Sequence, residues 1–135
     1  SWVAAAGKLP PGWPLLHPLA VLAGPALHLA NSLVDLELDL EAGRSSLATR
    51  LGPRRARLTL AALMALVLVL VWATLWLAWT VSPPTVALAL SATGAVALGV
   101  SLSWQVPRRA REAGWLAQAA GLSLLAVAWL SAVAT

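Results

Sequence analysis

The sequence predicts an all-α, multi-pass membrane protein: a helical bundle of about four transmembrane helices, with residues 1–135 forming a single membrane domain. Apolar residues make up 60% of the chain and charged residues only 10%, against about 25% charged residues in a typical soluble domain. A chain of 135 residues cannot enclose so much apolar surface, because short chains bury a small fraction of their surface. The apolar residues also form long runs, as membrane-spanning helices do.

Four apolar runs have the length that a bilayer requires. About twenty helical residues, at about 1.5 Å each, cross a hydrocarbon core of about 30 Å. The predicted spans are residues 15–34, 58–80, 86–104 and 114–134. The long polar segment between the first two spans, residues 35–57, is predicted to be a loop.

The basic residues predict the orientation of the chain. All except Lys8 are arginines, and they lie in two short segments, residues 44–57 and 108–111. Cytoplasmic loops carry such an excess of basic residues, so we expect residues 35–57 and 105–113 to be cytoplasmic loops of a cell-membrane protein. A nucleic-acid-binding surface would mix basic, polar and stacking groups on a soluble face, so no nucleic-acid partner is expected.

The start of the chain and its lack of cysteine limit other interpretations. With no cysteine, disulfides and thiol chemistry are excluded. The chain begins with Ser1, and its first residues do not have the basic start and apolar core of a signal peptide. We therefore expect this sequence to be a segment of a longer or split protein.

A stripe of polar residues lies at the end of the first span, and consists of His28, Asn31, Asp35 and Asp39. At about 100° per residue, all four fall within a sector of about 80° on one helix face. Two carboxylates one turn apart repel each other by a few kcal/mol at an effective dielectric of about 20. Mg²⁺ removes that repulsion, and it takes its remaining ligands from water and phosphate. The spacing therefore predicts a Mg²⁺–diphosphate site in which Asp35 and Asp39 are the metal ligands.

The basic residues that follow the stripe allow two interpretations. Arg44 and Arg50 are close enough in sequence to neutralise phosphate oxygens. Alternatively, Asp35 and Asp39 are solvated acids paired with arginines, in a non-catalytic membrane subunit or a piece of a transporter. A transporter more typically places its ionisable groups near the middle of the membrane, whereas these lie at its boundary.

Three further polar residues have simpler expected roles. Glu37 and Glu41 fall on the opposite side of the helical wheel from the stripe, so we expect them to face solvent or to pair with arginine. Gln118 lies inside the fourth span, where a polar side chain usually bonds to a neighbouring helix.

The segment around the stripe resembles the second aspartate-rich region of UbiA-type intramembrane prenyltransferases. The shared pattern is Asn-x-x-x-Asp-x-x-x-Asp-x-x-x-Gly, then a basic residue, a Ser/Thr–Leu step and a closing Leu-Gly. In this chain these positions are Asn31, Asp35, Asp39, Gly43, Arg44, Ser46-Leu47 and Leu51-Gly52. The following spans also match that family in number and spacing, so the resemblance implies the C-terminal part of a UbiA-like fold.

The resemblance implies a function as well as a fold. Members of the family have nine spans and two aspartate-rich loops, which hold Mg²⁺ against a prenyl diphosphate in one cavity. The diphosphate leaves, and an acceptor attacks the allylic cation. The resemblance implies that Asp35 and Asp39 are catalytic metal ligands, that Asn31 assists them and that Arg44 meets the diphosphate. We expect the substrate-binding residues to be Asn31, Arg44, Arg50 and His28. The implied cofactor is Mg²⁺, and the implied partners are a prenyl diphosphate, a hydrophobic acceptor (aromatic or lipid) and membrane lipid.

The chain departs from the family pattern in its extent. It has one aspartate-rich region and about four spans, and residues 58–135 contain no second Asn/Asp cluster. We therefore expect a missing N-terminal half to supply the other metal-binding wall, and little or no catalysis from this chain alone.

CDP-alcohol phosphotransferases are a further alternative, because they also use Mg²⁺ and aspartates at the membrane boundary. Their pattern has Asp-Gly-x-x-Ala-Arg followed by Gly-x-x-x-Asp-x-x-x-Asp. Here Asn31 stands where that pattern has Gly, and no Asp-Gly-x-x-Ala-Arg precedes it.

Overall fold

The computed structural model describes residues 13–77 and 82–134, which fold into helices without any strand within those ranges. The helices are α1 (Trp13–Val34), α2 (Leu36–Glu41), α3 (Leu47–Leu51), α4 (Pro53–Leu77), α5 (Pro83–Leu102) and α6 (Arg108–Ala134). The predicted all-α fold class is therefore confirmed.

Three of the described helices are long and apolar enough to cross a membrane: Pro53–Leu77, Pro83–Leu102 and Arg108–Ala132. They correspond to the second, third and fourth predicted spans. Each begins earlier than predicted, because proline or arginine residues before the apolar run are also helical, and proline is well tolerated in a first helical turn. Residues 78–80, the end of the second predicted span, lie outside the described residues. The multi-pass helical membrane bundle is confirmed.

The first predicted span forms a helix, α1, but α1 is not among those three. It continues through Pro18 and Pro25. These prolines, together with His17, His28 and Asn31, interrupt its apolar run. Its helical structure is therefore confirmed, while its crossing of the membrane stays a prediction.

The bundle is organised around α1. This helix packs against both α4 and α6, and α5 packs chiefly against α6. Their fully or almost fully buried apolar side chains form one core, which includes Leu29, Leu33, Leu60, Met64, Val67, Leu125 and Ala128. Large apolar side chains also cover the outer faces of α4, α5 and α6, among them Val69, Leu90, Leu98 and Leu130. Such outward-facing apolar residues suit contact with lipid.

Glycines allow α5 and α6 to approach very closely. A Cβ atom added at Gly99 would lie 2.5 Å from the carbonyl oxygen of Gly114. A Cβ atom added at Gly121 would lie 2.9 Å from the carbonyl oxygen of Ala92. Because these obstacles are backbone atoms, only glycine fits there, as is common where membrane helices pack tightly.

Gln118 confirms its predicted role as a bond between helices. Its side chain is fully buried in α6, and its Nε2 donates to Ser103 Oγ at the end of α5 (3.1 Å) and to the carbonyl oxygen of Gly114 (3.1 Å). Ser103 donates in turn to the carbonyl oxygen of Gly99 (3.0 Å). The polar group is thus used to join α5 and α6 away from water.

The polar segment 35–57, which we predicted to be a loop, is largely helical. It holds α2, α3 and the first turn of α4. The physical reason is that this segment has its own apolar anchors, since Leu36 and Ala48 are both buried against the core. A capping box also fixes α3, in which Ser46 and Thr49 bond each other's backbone N–H groups.

Candidate functional site

Asp35 lies at a break between α1 and α2. Its backbone (φ −102°, ψ 16°) departs from helical geometry, in which ψ is near −42°. The amide of Asp39 donates to the carbonyl oxygen of Asp35 (2.9 Å), so these two residues remain one turn apart. The predicted stripe therefore needs a correction: a single helix does not carry all four residues, because His28 and Asn31 precede the break.

The two aspartates pair with different arginines. Arg108 Nε donates to Asp35 Oδ1 (2.9 Å), and Arg108 Nη2 lies 2.8 Å from the same oxygen. Arg44 Nε lies 3.2 Å from Asp39 Oδ1. The Asp35 side chain is 43% exposed, and the Asp39 side chain is 16% exposed and thus mostly buried. The aspartates therefore lie on one short stretch of backbone but enter separate ion pairs.

A glycine turn brings Arg44 back onto Asp39. Gly43 has a left-handed backbone (φ 64°), and the amide of Arg44 donates to the carbonyl oxygen of Asp39 (2.8 Å). This is the helix-ending hydrogen bond of a Schellman motif. The motif thus places Arg44 beside the carboxylate of Asp39.

Substitution Gly43→Ala is expected to destabilise the fold by about 1–2 kcal/mol, because an L side chain is disfavoured in a left-handed conformation. No steric clash adds to this cost, since nothing lies within 4 Å of an added Cβ. The free energy of unfolding in detergent micelles measures it. Gly43→Asn is the matched control, because asparagine tolerates this conformation. Equal stabilities of the two variants would contradict the role given to the turn.

A shallow cleft of ≈ 270 Å³ opens beside Asp39. Its lining residues are Asp39, Leu40, Gly43, Arg44, Ser45, Thr49 and Arg50. The Nε of Arg50 donates to Ser45 Oγ (2.8 Å), which orients its guanidinium beside the cleft. The cleft thus combines two guanidinium groups with one carboxylate, a set that suits a phosphate group and a cation bound to it.

The other predicted site residues lie outside this cleft. Asp35 is one turn before Asp39 and contacts Arg108 instead. His28 and Asn31 are exposed on α1, whereas Leu29 and Ala30 beside them are buried in the core. The structure therefore brings together Asp39, Arg44 and Arg50, with Asp35 adjacent, and leaves His28 and Asn31 on an open helix face.

Two arginines at the start of α6 are functional candidates that the sequence interpretation missed. Besides Arg108, Arg111 contacts the acidic segment, residues 35–41. Its buried guanidinium donates to Glu37 and to the carbonyl oxygen of Val34 (3.3 Å). It also donates to backbone carbonyl oxygens in the turn after α5. Glu37 is thus paired with arginine, one of the two outcomes expected for it. The sequence did offer one signal for these contacts, because both arginine segments were predicted to lie on the same side of the membrane. The contacts place the two segments at one end of the bundle.

An apolar groove of ≈ 400 Å³ lies elsewhere in the bundle, between α1, α4 and α6. Ala23 is the lining residue of α1 closest in sequence to the aspartates. It precedes Asp35 by twelve residues, about 18 Å along a helix. The groove is therefore well separated from the acidic site.

The donor set at the aspartates fits one kind of metal site. Within residues 13–77 and 82–134, no three His, Cys, Asp or Glu side chains gather as an ion-enclosing group. Asp35 and Asp39 instead offer partly exposed carboxylates one turn apart. That arrangement fits Mg²⁺ shared with water and phosphate, since Mg²⁺ commonly binds through one or two carboxylates and substrate phosphates.

One of three comparisons with known proteins gave a match. Neither the curated proteins nor the solved structures gave a match to the chain. The family model of the UbiA prenyltransferase family matches residues 1–120. The matched region includes the whole acidic segment and the start of α6, which supplies its arginine partners. The chain therefore belongs to the UbiA prenyltransferase family.

Proposed function

We propose that this chain forms one wall of a Mg²⁺-dependent prenyltransferase site, which binds an isoprenoid diphosphate and supports transfer of its prenyl group to an aromatic or lipid acceptor. Membership of the family supports prenyl transfer. The observation that carries diphosphate binding is the cleft in which Arg44 and Arg50 lie beside Asp39, one turn after Asp35. The second acidic wall and the acceptor pocket would come from outside these residues.

The residues of this wall act mainly on the leaving group. In prenyl transfer the C–O bond of the allylic diphosphate breaks, the acceptor bonds to the allylic carbon, and the acceptor loses a proton. Arg44 and Arg50 would donate hydrogen bonds to phosphate oxygens, and Asp35 and Asp39 would hold Mg²⁺. When bound, Mg²⁺ neutralises negative charge on the departing diphosphate. The fixed donors lower the barrier because they favour the charge that develops as the bond breaks.

A second candidate function is also favoured by a specific observation. Asp35 and Asp39 each already have an arginine partner, as expected of boundary acids in a non-catalytic membrane subunit. Ion pairs at an accessible surface contribute little to stability. In this alternative, the pairs hold the segment after α1 in place and bind no metal. The family match is to UbiA prenyltransferases and gives no support to the CDP-alcohol phosphotransferase alternative.

Substitutions Asp35→Asn and Asp39→Asn test the proposal directly. Each removes a negative charge while nearly keeping the size of the side chain. Each is expected to weaken Mg²⁺-dependent binding of diphosphate by about tenfold or more, equivalent to about 1.4 kcal/mol. Equilibrium binding of inorganic diphosphate and of prenyl diphosphates of increasing length, to the protein in native membranes, measures the effect.

Glu41→Gln is the matched control, since Glu41 is an exposed acid at the end of α2 and does not line the cleft. Its diphosphate affinity should equal that of the wild type. If both aspartate variants bind Mg²⁺–diphosphate as tightly as Glu41→Gln, these two aspartates do not ligate the metal. If the wild type itself shows no Mg²⁺-dependent diphosphate binding, the second candidate function is favoured.

A further inference from the structure

The two arginines that α6 contributes to the acidic segment are held in opposite ways. The side chain of Arg111 is 2% exposed, and its guanidinium bonds backbone carbonyl oxygens as well as Glu37. The side chain of Arg108 is 54% exposed, and both of its contacts with Asp35 fall on one oxygen, Oδ1. Arg111 is therefore built into the fold, whereas Arg108 is attached to it through a single accessible carboxylate oxygen.

This difference decides which arginine is able to change partners. An exposed ion pair is weak, because water and salt compete with it. Withdrawing a buried guanidinium leaves carbonyl oxygens without donors, which is costly. Arg111 thus fixes the start of α6 beside Val34 and Glu37, and the side chain of Arg108, three residues earlier, can move while its backbone stays in place.

A cation bound to Asp35 would compete with Arg108 for the same carboxylate. The two positive charges repel each other, so the guanidinium would be displaced as the metal binds. A diphosphate on that metal would then offer the displaced guanidinium new acceptors, and the planar fork of arginine matches phosphate oxygens well. Arg44 and Arg50 already line the cleft beside Asp39, so Arg108 would add a donor from a different helix.

Building on the proposed function, we propose that Arg108 is a diphosphate-recognition residue that pairs with Asp35 before ligands bind and transfers to the phosphate oxygens when a divalent cation takes that carboxylate. The exchange gives Arg108 opposite effects on two ligands. It competes with the cation when the cation binds alone, and it assists the diphosphate once the cation is bound. A residue with a merely structural role would not produce effects of opposite sign.

The test uses Arg108→Ala and Arg108→Gln in the complete protein in its membrane. Mn²⁺ serves as the probe for the cation alone, with free Mn²⁺ followed by electron paramagnetic resonance. Binding of inorganic diphosphate at saturating Mg²⁺ is the second measurement. Both variants are expected to bind Mn²⁺ about two- to fivefold more tightly and diphosphate about tenfold more weakly. Arg109→Ala is the control, since Arg109 is the neighbouring exposed arginine, and it should leave both affinities unchanged.

The outcomes separate this inference from the proposed function. If the wild type binds Mg²⁺–diphosphate and Asp35→Asn loses it, but the Arg108 variants behave like Arg109→Ala, the exchange is wrong and the proposed function stands. Changes of the same sign in both affinities would also overturn the exchange. A wild-type protein whose diphosphate binding does not depend on Mg²⁺ would overturn both.

Discussion

Replacing Arg111 with Met is expected to destabilise the folded bundle by about 2–3 kcal/mol, the upper part of the range for leaving a buried acceptor without its donor. Methionine keeps much of the apolar length of the side chain but has no donors. The carbonyl oxygen of Val34, on a residue that is only 5% exposed, would lose its bond to the guanidinium. The bonds to the carbonyl oxygens of Gln105 and Val106 would be lost as well. The melting temperature and the free energy of unfolding in detergent micelles measure the loss.

Two comparisons show which of the Arg111 contacts carries this stability. Glu37→Gln should cost less than about 1 kcal/mol, because the Glu37 side chain is 53% exposed and exposed charges contribute little. Arg109→Ala should be neutral. A loss in Glu37→Gln as large as in Arg111→Met would mean that the ion pair, not the carbonyl bonding, holds this end of the bundle together.

Replacing Gly99 with Leu is expected to separate α5 from α6 and to destabilise the protein by at least about 3 kcal/mol, the upper end of the usual cost of overpacking. The first added atom would already lie 2.5 Å from the carbonyl oxygen of Gly114 and 2.6 Å from Gln118 Cγ. Backbone atoms cannot turn aside as a flexible side chain can. The hydrogen bond from Gln118 to Ser103 would be lost when the helices move apart, leaving a buried amide without that partner.

Gly94→Leu is the matched control for this packing prediction. Gly94 lies on the same helix, is exposed, and has no atom within 4 Å of an added Cβ. A leucine there gains apolar surface facing lipid and should leave the melting temperature nearly unchanged. If Gly94→Leu and Gly99→Leu have the same melting temperature, the close approach of α5 and α6 is not what stabilises this pair of helices.

The helices were predictable from sequence because their cause is local. Long runs of leucine, valine and alanine leave few alternatives to membrane helices, and α4, α5 and α6 follow those runs. The helical content of residues 35–57 was not predictable in the same way. It depends on Leu36 and Ala48 being buried by helices that lie elsewhere in the chain. In a mainly polar segment, the sequence alone does not show which apolar residues will be buried.

The candidate site was predictable only in part, for a related reason. The spacing of Asp35 and Asp39 and the nearness of Arg44 are local properties, and the structure does place Arg44 on Asp39. The partner of Asp35 lies 73 positions away in sequence, and that of Glu37 lies 74 positions away. No local pattern selects one arginine from the several at this end of the bundle. The break at Asp35 was missed because a helical wheel assumes an uninterrupted helix.

The most direct test of the central claim is whether a divalent cation held by Asp35 and Asp39 contacts the diphosphate. Mn²⁺ can replace Mg²⁺ in the complete protein with a prenyl diphosphate bound, and pulsed electron paramagnetic resonance then detects hyperfine coupling between Mn²⁺ and ³¹P. We expect protein-bound Mn²⁺ with ³¹P coupling in the wild type and in Glu41→Gln, and loss of that bound species in the double variant Asp35→Asn/Asp39→Asn. An unchanged bound and coupled signal in the double variant would contradict the assignment of these two aspartates.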